Sequence, residues 1–108
     1  MKLVIAIVQD QDSQILVDEV TKNDFRVTKL ATSGGFLKSG NTTLLMGVEE
    51  DRLQELLSII ENNCKSREVA TSLLTVTMPG DSYVPYPINV KVGGATIFIV
   101  DVEEFIQF

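Results

Sequence analysis

Apolar and polar residues follow two different periods along the chain, one typical of strands and the other of helices. A continuous apolar, branched run at 3–8 predicts a central strand. Alternation of apolar with polar residues, or short apolar runs between turn residues, predicts further strands. The predicted strands are residues 3–8, 25–31, 42–48, 88–92 and 95–100.

Helical spacing of apolar residues predicts two helices. The first covers roughly residues 13–22, with Asp12 or Ser13 placed to cap it through a side-chain oxygen. The second covers roughly 50–63, where acidic residues at the start suit the helix dipole. Its apolar stripe consists of Leu53, Leu56, Leu57, Ile60 and Cys64. The position of Cys64 in this stripe predicts that it is a core residue.

The segment from 66 to 87 is the least regular part of the sequence. Two proline-containing stretches, 79–81 and 85–87, lie in it, and we expect a long flexible loop. Immediately after the strand at 88–92, Gly93 and Gly94 stand between two apolar runs. This pattern predicts a hairpin that returns into the last strand.

The predicted order is β-α-β-β-α-β with an additional strand at the end. An antiparallel sheet with two helices on one face is the ferredoxin-like arrangement of the α+β class. The opposite face of such a sheet still needs a cover, and self-association is the simplest one.

Composition narrows the functional classes. A chain of 108 residues predicts one domain, and a net charge of −6 argues against binding to nucleic acid or anionic membrane. The chain has no histidine and only one cysteine, which excludes Ser–His and Cys–His nucleophiles as well as zinc sites built on these residues. The lone cysteine and a start without signal-peptide character predict a cytoplasmic protein without membrane insertion.

A glycine-rich turn at 32–40 is the strongest functional signal. Gly34 and Gly35 supply positive φ angles and allow a ligand to approach the backbone. Their neighbouring N–H groups can form an anion-binding concavity, although a plain hairpin turn would need the same glycines. Phe36 can stack on a base or pack at a subunit contact. We interpret the turn as an element that binds an adenine nucleotide.

Polar residues on both sides of the turn complete the candidate site. Arg26 and Thr28 share a face of the predicted strand and can hold a phosphate. Alternatively, Arg26 pairs with a surface carboxylate, and Thr28 is present because threonine has a high strand propensity. Asn41 can pair with adenine through its amide, or it closes an Asx turn. Gly47 permits close ligand approach, or it marks a bulge.

Other charged residues give weaker candidates. Asp10, Asp12 and Glu49 are the carboxylates on which a small nucleotide hydrolase would depend, but they form no cluster in the sequence. We predict no metal site, because consecutive carboxylates on a helix point in different directions. Lys65 and Arg67 are either ligand contacts or, more simply, favourable charges at a helix C-terminus.

Several stretches together resemble one family closely: Val8-Gln9-Asp10-Gln11-Asp12, Phe25 to Leu37, Gly40-Asn41-Thr42-Thr43 and Val92-Gly93-Gly94-Ala95-Thr96. They look like the PII-like cyclic di-AMP receptors of the PstA (also DarA) type. The resemblance implies a ferredoxin-like homotrimer with one cyclic di-AMP in each of three clefts between subunits. It also implies a signalling receptor without enzymatic activity or cofactor, which relays occupancy to a downstream protein.

The resemblance also implies which residues contact the ligand. Carried over by position, the contacts fall on Arg26, Thr28, Gly35, Phe36, Leu37, Asn41, Gly47 and Gln107. Asp24 departs from the family pattern, in which we expect asparagine, and an anion there disfavours a close phosphate. An alternative is a PII-like sensor of ATP or ADP, although a linear triphosphate would require more cations than the surroundings of Arg26 offer.

Overall fold

The computed structural model describes residues 1–30, 40–73 and 86–108, which form six strands and two helices. A single 3-10 turn, Glu50–Arg52, leads directly into the second helix. In chain order the elements are β1 (Lys2–Gln9), α1 (Asp10–Lys22), β2 (Thr28–Leu30), β3 (Asn41–Val48), α2 (Leu53–Cys64), β4 (Arg67–Leu73), β5 (Tyr86–Val92) and β6 (Ala95–Asp101).

Four of the strands make one antiparallel sheet with the order β2-β3-β1-β6. The apolar run of the first strand is central, as predicted, and Ile5 lies between Leu45 of β3 and Phe98 of β6. The prediction of an α+β fold with an antiparallel sheet and two helices is therefore confirmed.

Both helices cover the same face of this sheet. Alternate residues of β1 and β3 point toward them and are buried, whereas the residues between, apart from Thr43, are more accessible. The predicted apolar positions of α2 join the same core, and Cys64 is fully buried in it. The core consists of Val4, Ala6, Val8, Leu16, Val20, Phe25, Leu44, Met46, Val48, Leu56, Ile60 and Cys64.

The opposite face of the sheet is mostly apolar, and its residues other than the buried Thr43 are at least partly accessible. Residues that are direct partners across antiparallel strands share a face, so Ile5, Leu45 and Phe98 lie together on it. Phe98 is 54% exposed and Val100 is 46% exposed. We call this surface the open face, and it includes Leu3, Ile5, Ile7, Thr28, Leu30, Thr43, Leu45, Gly47, Thr96, Phe98 and Val100.

The predicted hairpin at Gly93 and Gly94 is wrong. β5 pairs with β4 to form a separate two-stranded ribbon, and β6 pairs with β1. The two glycines, with φ of +82° and +104°, instead redirect the chain from the ribbon into the sheet. Strands β4 and β5 occupy both ends of the segment 66–87 for which we expected a loop, and residues 74–85 lie outside the described part.

The predicted starts of one helix and one strand also differ from those in the structure. Helix α1 begins at Asp10, and its N-cap residue Gln9 makes no capping bond through its side chain. The predicted caps, Asp12 and Ser13, are instead buried inside the first turns. Strand β2 begins only at Thr28, because Phe25 leaves the strand direction and packs into the core. Within the described residues, neither helix has the length and apolar character that crossing a bilayer demands.

Candidate functional site

Four strand ends meet at one end of the sheet. Because β1 is antiparallel to both of its neighbours, its first residue, Lys2, lies beside Val48 of β3 and Asp101 of β6. β2 is antiparallel to β3, so the residues just before Thr28 reach the same end. Segments that are far apart in the sequence therefore converge here.

A cavity of about 840 Å³ opens at this end of the sheet. Its volume is within the range of roughly 300–1,000 Å³ that is typical of small-molecule sites. The lining residues come from the start of β1, the α1–β2 turn, the end of β3, the 3-10 turn and the tail after β6. They are Met1, Leu3, Asp24, Phe25, Arg26, Thr28, Leu45, Gly47, Val48, Glu49, Arg52, Val102, Phe105 and Gln107.

Charges of both signs line the cavity. Arg26 and Arg52 are its cations, and Asp24 and Glu49 are its anions. Glu49 lies 3.8 Å from the N-terminal ammonium of Met1, so part of its charge is already balanced. An arginine fork suits a phosphate, whereas the two carboxylates disfavour a highly charged ligand.

The remaining lining combines apolar walls with a few hydrogen-bonding groups. Leu3, Leu45 and Phe105 are apolar, and Thr28 and Gln107 contribute a hydroxyl and an amide. Such a surface can pack against a flat ring system while its polar groups fix the orientation of the ring. The arrangement is suited to a ligand that has both aromatic rings and a modest negative charge.

The family model of the cyclic-di-AMP receptor matches residues 1–108, the whole chain. The chain belongs to the cyclic-di-AMP receptor family. Membership supports a signalling protein that binds cyclic di-AMP. A solved structure is also similar: "The crystal structure of a functionally unknown protein from Pediococcus pentosaceus ATCC 25745". The two chains are 46% identical with a TM-score of 0.78, over 99% of this chain and 96% of that one.

Four of the eight predicted contact residues of this cyclic-di-AMP receptor family member line the cavity. They are Arg26, Thr28, Gly47 and Gln107, which come from three separate segments. Gly35, Phe36 and Leu37 lie outside the described residues. That these residues bind the ligand stays a prediction, but the fold brings half of them to one place.

Asn41 is the predicted contact that the fold does not bring to the cavity. It is the first residue of β3 and pairs with Gln9, whereas Gly47 pairs with Leu3 near the other end of the same strand. Asn41 and Gly47 are six positions apart along the strand, which corresponds to about 20 Å. Within one chain, Asn41 and the cavity are therefore at opposite ends of the sheet.

Sequence reasoning missed Arg52 as part of the site. Its Nη2 donates to the carbonyl oxygen of Asn23 at 2.8 Å, and its guanidinium carbon lies 4.0 Å from the ring centroid of Phe25. The contact with Asn23 joins residues 29 positions apart, so no local pattern announces it. Phe105 was also missed, because its place near the site depends on the pairing of β6 with β1.

The carboxylates considered for a hydrolase do not form one site. Asp10 accepts a hydrogen bond from the Thr42 hydroxyl at the far end of β3, and Asp12 is paired with Arg67. Glu49 follows the other end of β3 and lines the cavity. In the part of the chain that the structure describes, no three histidine, cysteine or acidic side chains lie close enough to hold a metal ion.

The Cys64 thiol is buried next to the Asp12–Arg67 pair. Burial, and to a smaller degree the Asp12 carboxylate, raises the pKa of Cys64 to about 11. A thiol with this pKa is almost wholly protonated at neutral pH and is a poor nucleophile. The prediction that Cys64 is a core residue is thus confirmed.

Proposed function

We propose that this family member is a cytosolic, PII-like signalling protein with a ferredoxin-like fold, which binds cyclic di-AMP in the clefts between subunits of a homotrimer. One observation carries the proposal: Arg26, Thr28, Gly47 and Gln107 line a single cavity of about 840 Å³. These were predicted contacts for this ligand, and the antiparallel sheet collects them from distant segments.

Each lining residue has a role that matches the chemistry of the ligand. Arg26 offers a planar donor fork to a phosphodiester, and Thr28, the first residue of β2, adds a hydroxyl to the same cavity. Gly47 lacks a side chain and leaves room for the ligand against the end of β3. Gln107 supplies an amide that can donate and accept in the plane of a base.

The position of Asn41 supports a site shared by two copies. Because it lies at the opposite end of β3 from the cavity, one chain cannot place Asn41 and Gly47 on the same ligand. A second copy that presents its glycine-rich turn and Asn41 to the cavity of the first would complete the predicted contact set. Phe36 of that turn would then stack on an adenine.

The open face supports association between copies. Leu30, Phe98 and Val100 are 41%, 54% and 46% exposed on it, and they lie beside Leu3, Ile5 and Leu45. Contiguous exposed apolar surface of this kind marks an interaction site. In our proposal, three open faces meet around the axis of the trimer, and the β4–β5 ribbon transmits occupancy to a downstream protein.

Isothermal titration with cyclic di-AMP, ATP and ADP tests the proposal. Wild-type protein should bind cyclic di-AMP with one site per chain and the linear nucleotides far more weakly. Arg26→Gln should weaken binding by about 10- to 100-fold, since it removes a charge-assisted donor pair. Lys29→Gln is the matched control, because Lys29 is an exposed cation only three positions away, and in β2 it lies on the opposite face from Thr28.

Two results would overturn this function. One is an absence of measurable heat with cyclic di-AMP at micromolar protein. The other is an Arg26→Gln variant that binds as tightly as Lys29→Gln. Tighter binding of ATP or ADP than of cyclic di-AMP would favour the alternative sensor.

A further inference from the structure

We propose that Arg52 is a positioning residue of the ligand site: it holds the turn Asn23–Phe25 so that Arg26 and Thr28 face the cavity. This inference rests on the proposed function, since it concerns the same site. Arg52 acts through the turn and does not itself take up the phosphate.

The turn is short and conformationally demanding. Helix α1 ends at Lys22, and the chain must reverse direction before β2 starts at Thr28. Asp24 has φ of +65°, and it is the one non-glycine residue with positive φ in the described part of the chain. Such a conformation is unfavourable for a residue with a side chain and persists only when its surroundings hold it.

Backbone hydrogen bonds secure part of the turn. The Asp24 amide donates to the Thr21 carbonyl at 3.1 Å, and the Phe25 amide donates to the Val20 carbonyl at 2.9 Å. These bonds connect the turn to its own helix. Besides the burial of Phe25 in the core, a hydrogen bond connects the turn to the rest of the protein: Arg52 Nη2 donates to the Asn23 carbonyl at 2.8 Å.

Arg52 makes three contacts at once. Besides the bond to Asn23, its guanidinium stacks 4.0 Å from the Phe25 ring centroid, and its Nε and Nη2 lie 3.2 and 3.3 Å from the carboxylate oxygens of Glu55. Phe25 is only 5% exposed, so the ring is a fixed platform for the stack. A planar, forked guanidinium can satisfy all three directions, and a lysine ammonium cannot.

The contacts of Arg52 affect the ligand site because the residues that follow the turn line the cavity. Arg26 follows Phe25 immediately, and Thr28 is two residues further on. A shift of the turn therefore displaces both groups relative to Gly47 and the cavity wall. Binding groups need supporting residues that lock their geometry to within fractions of an ångström. Arg52 itself is already engaged by Asn23, Phe25 and Glu55, which leaves Arg26 as the phosphate donor.

Two Arg52 variants and one control test the inference. Arg52→Lys keeps the charge but loses the fork, Arg52→Gln loses both, and Glu55→Gln removes only the outward partner, which does not line the cavity. Cyclic di-AMP affinity is measured by titration at three salt concentrations, below the melting temperature of every variant. Backbone amide shifts of residues 23–28 are recorded by NMR on ligand-free protein.

Arg52→Lys should melt within a few degrees of wild type but bind about tenfold more weakly, as expected for lost hydrogen bonding, and Arg52→Gln should bind still more weakly. The salt dependence of the affinity should stay close to that of wild type, because Arg26, the proposed phosphate-binding cation, is unchanged. The amides of residues 23–28 should shift in the Arg52 variants. Glu55→Gln should bind within about twofold of wild type.

Three results would overturn the inference: wild-type affinity in Arg52→Lys, unmoved amides at 23–28, or an affinity that depends markedly less on salt in Arg52→Gln than in wild type, which would make Arg52 a direct phosphate contact. Wild-type protein that fails to bind cyclic di-AMP would instead refute the proposed function. The ligand-free amide shifts would then still decide whether Arg52 holds the turn.

Discussion

Arg67 forms a two-pronged ion pair with the buried carboxylate of Asp12, with Nη2 2.8 Å from Oδ1 and Nη1 3.4 Å from Oδ2. The carboxylate is 3% exposed, and the pair joins the first residue of β4 to the first turn of α1. Gly93 and Gly94 are bonded beside it, the first to Gln9 and the second to the Cys64 carbonyl. The base of the β4–β5 ribbon is therefore fastened to the domain by polar contacts.

Asp12→Asn should loosen the base of the ribbon. The substitution preserves the shape of the side chain but leaves the Arg67 guanidinium without its charged partner. We expect the melting temperature to fall by several degrees and the amides of Gly93 and Gly94 to exchange faster with solvent. Glu68→Gln is the control, because Glu68 is exposed on the same ribbon, opposite Lys91. Equal amide protection in Asp12→Asn and Glu68→Gln would contradict the role of the pair.

Gly93→Ala and Gly94→Ala should differ in cost, although both glycines have positive φ. A Cβ on Gly94 would meet nothing within 4 Å, so only backbone strain, about 1–2 kcal/mol, applies. A Cβ on Gly93 would lie 2.6 Å from the Lys65 carbonyl oxygen and 2.6 Å from Arg67 Nη1. Overpacking of this kind adds roughly 1–3 kcal/mol. Denaturant unfolding measures both variants, and the prediction is wrong if Gly94→Ala is the less stable.

Cys64 should make the protein less stable at alkaline pH. Its folded-state pKa of about 11 lies above its ordinary value of 9.0, so the unfolded chain releases the thiol proton first. Between pH 9 and 11 the unfolded state binds fewer protons than the folded state, and the free energy of unfolding falls as pH rises. We expect a loss on the order of 1–2 kcal/mol.

Cys64→Ala supplies the control for this titration. The alanine variant should be less stable at pH 8, because it leaves a cavity, but its unfolding free energy should change less between pH 9 and 11. Tyrosines and lysines titrate in both proteins, so they cancel in the difference. Parallel stability curves over this range would show that the thiol is not responsible.

The sequence was sufficient for elements whose pattern is local. The spacing of Leu56, Ile60 and Cys64 identified α2 and its buried face, because a helix repeats its contacts every three or four residues. The alternation of Arg26 and Thr28 likewise brought two lining residues together. The five segments that surround the cavity depend on the strand order β2-β3-β1-β6, which local patterns did not supply.

What the sequence could not supply depends on contacts between distant segments. Gly93 and Gly94 have the local signature of a hairpin, but the partner of β5 is β4, which begins at Arg67. Asp12 has the sequence signature of a helix cap, yet its carboxylate pairs with Arg67, which is 55 positions away. The hydrogen bond from Arg52 to the Asn23 carbonyl could not be predicted from the sequence for the same reason. Pairing partners across the fold, and not residue types, decide these cases.

Phe98→Asp should disrupt the association of copies. Phe98 is 54% exposed on the open face, so the aspartate costs the single chain little but places a charge inside the proposed trimer contact. Size-exclusion chromatography with light scattering should give the mass of three chains for wild type and a smaller mass for the variant. Ile15→Asp is the control, since Ile15 is 56% exposed on α1, away from the open face. A Phe98→Asp protein that stays trimeric would remove the open face from the interface.

Gly47 should distinguish ligand binding from folding more cleanly than any other cavity residue. A Cβ at this position would have as its nearest neighbour the Met1 sulfur at 3.9 Å, an ordinary contact, and the residue lies in an extended strand. Gly47→Ala should therefore leave the melting temperature unchanged or raise it, since glycine weakens a strand interior by roughly 0.5–1 kcal/mol relative to alanine.

Gly47→Leu carries the test of the cavity. Its side chain has nowhere to go but the space that Arg26, Thr28 and Gln107 also line. We expect the leucine variant to fold, with a melting temperature within a few degrees of Gly47→Ala, but to bind cyclic di-AMP at least tenfold more weakly because overpacking excludes the ligand. Thermal melting and titration on the same samples separate the two effects. If Gly47→Leu bound the cyclic dinucleotide as tightly as Gly47→Ala, the ligand would not lie against the end of β3, since the added side chain would occupy that part of the cavity.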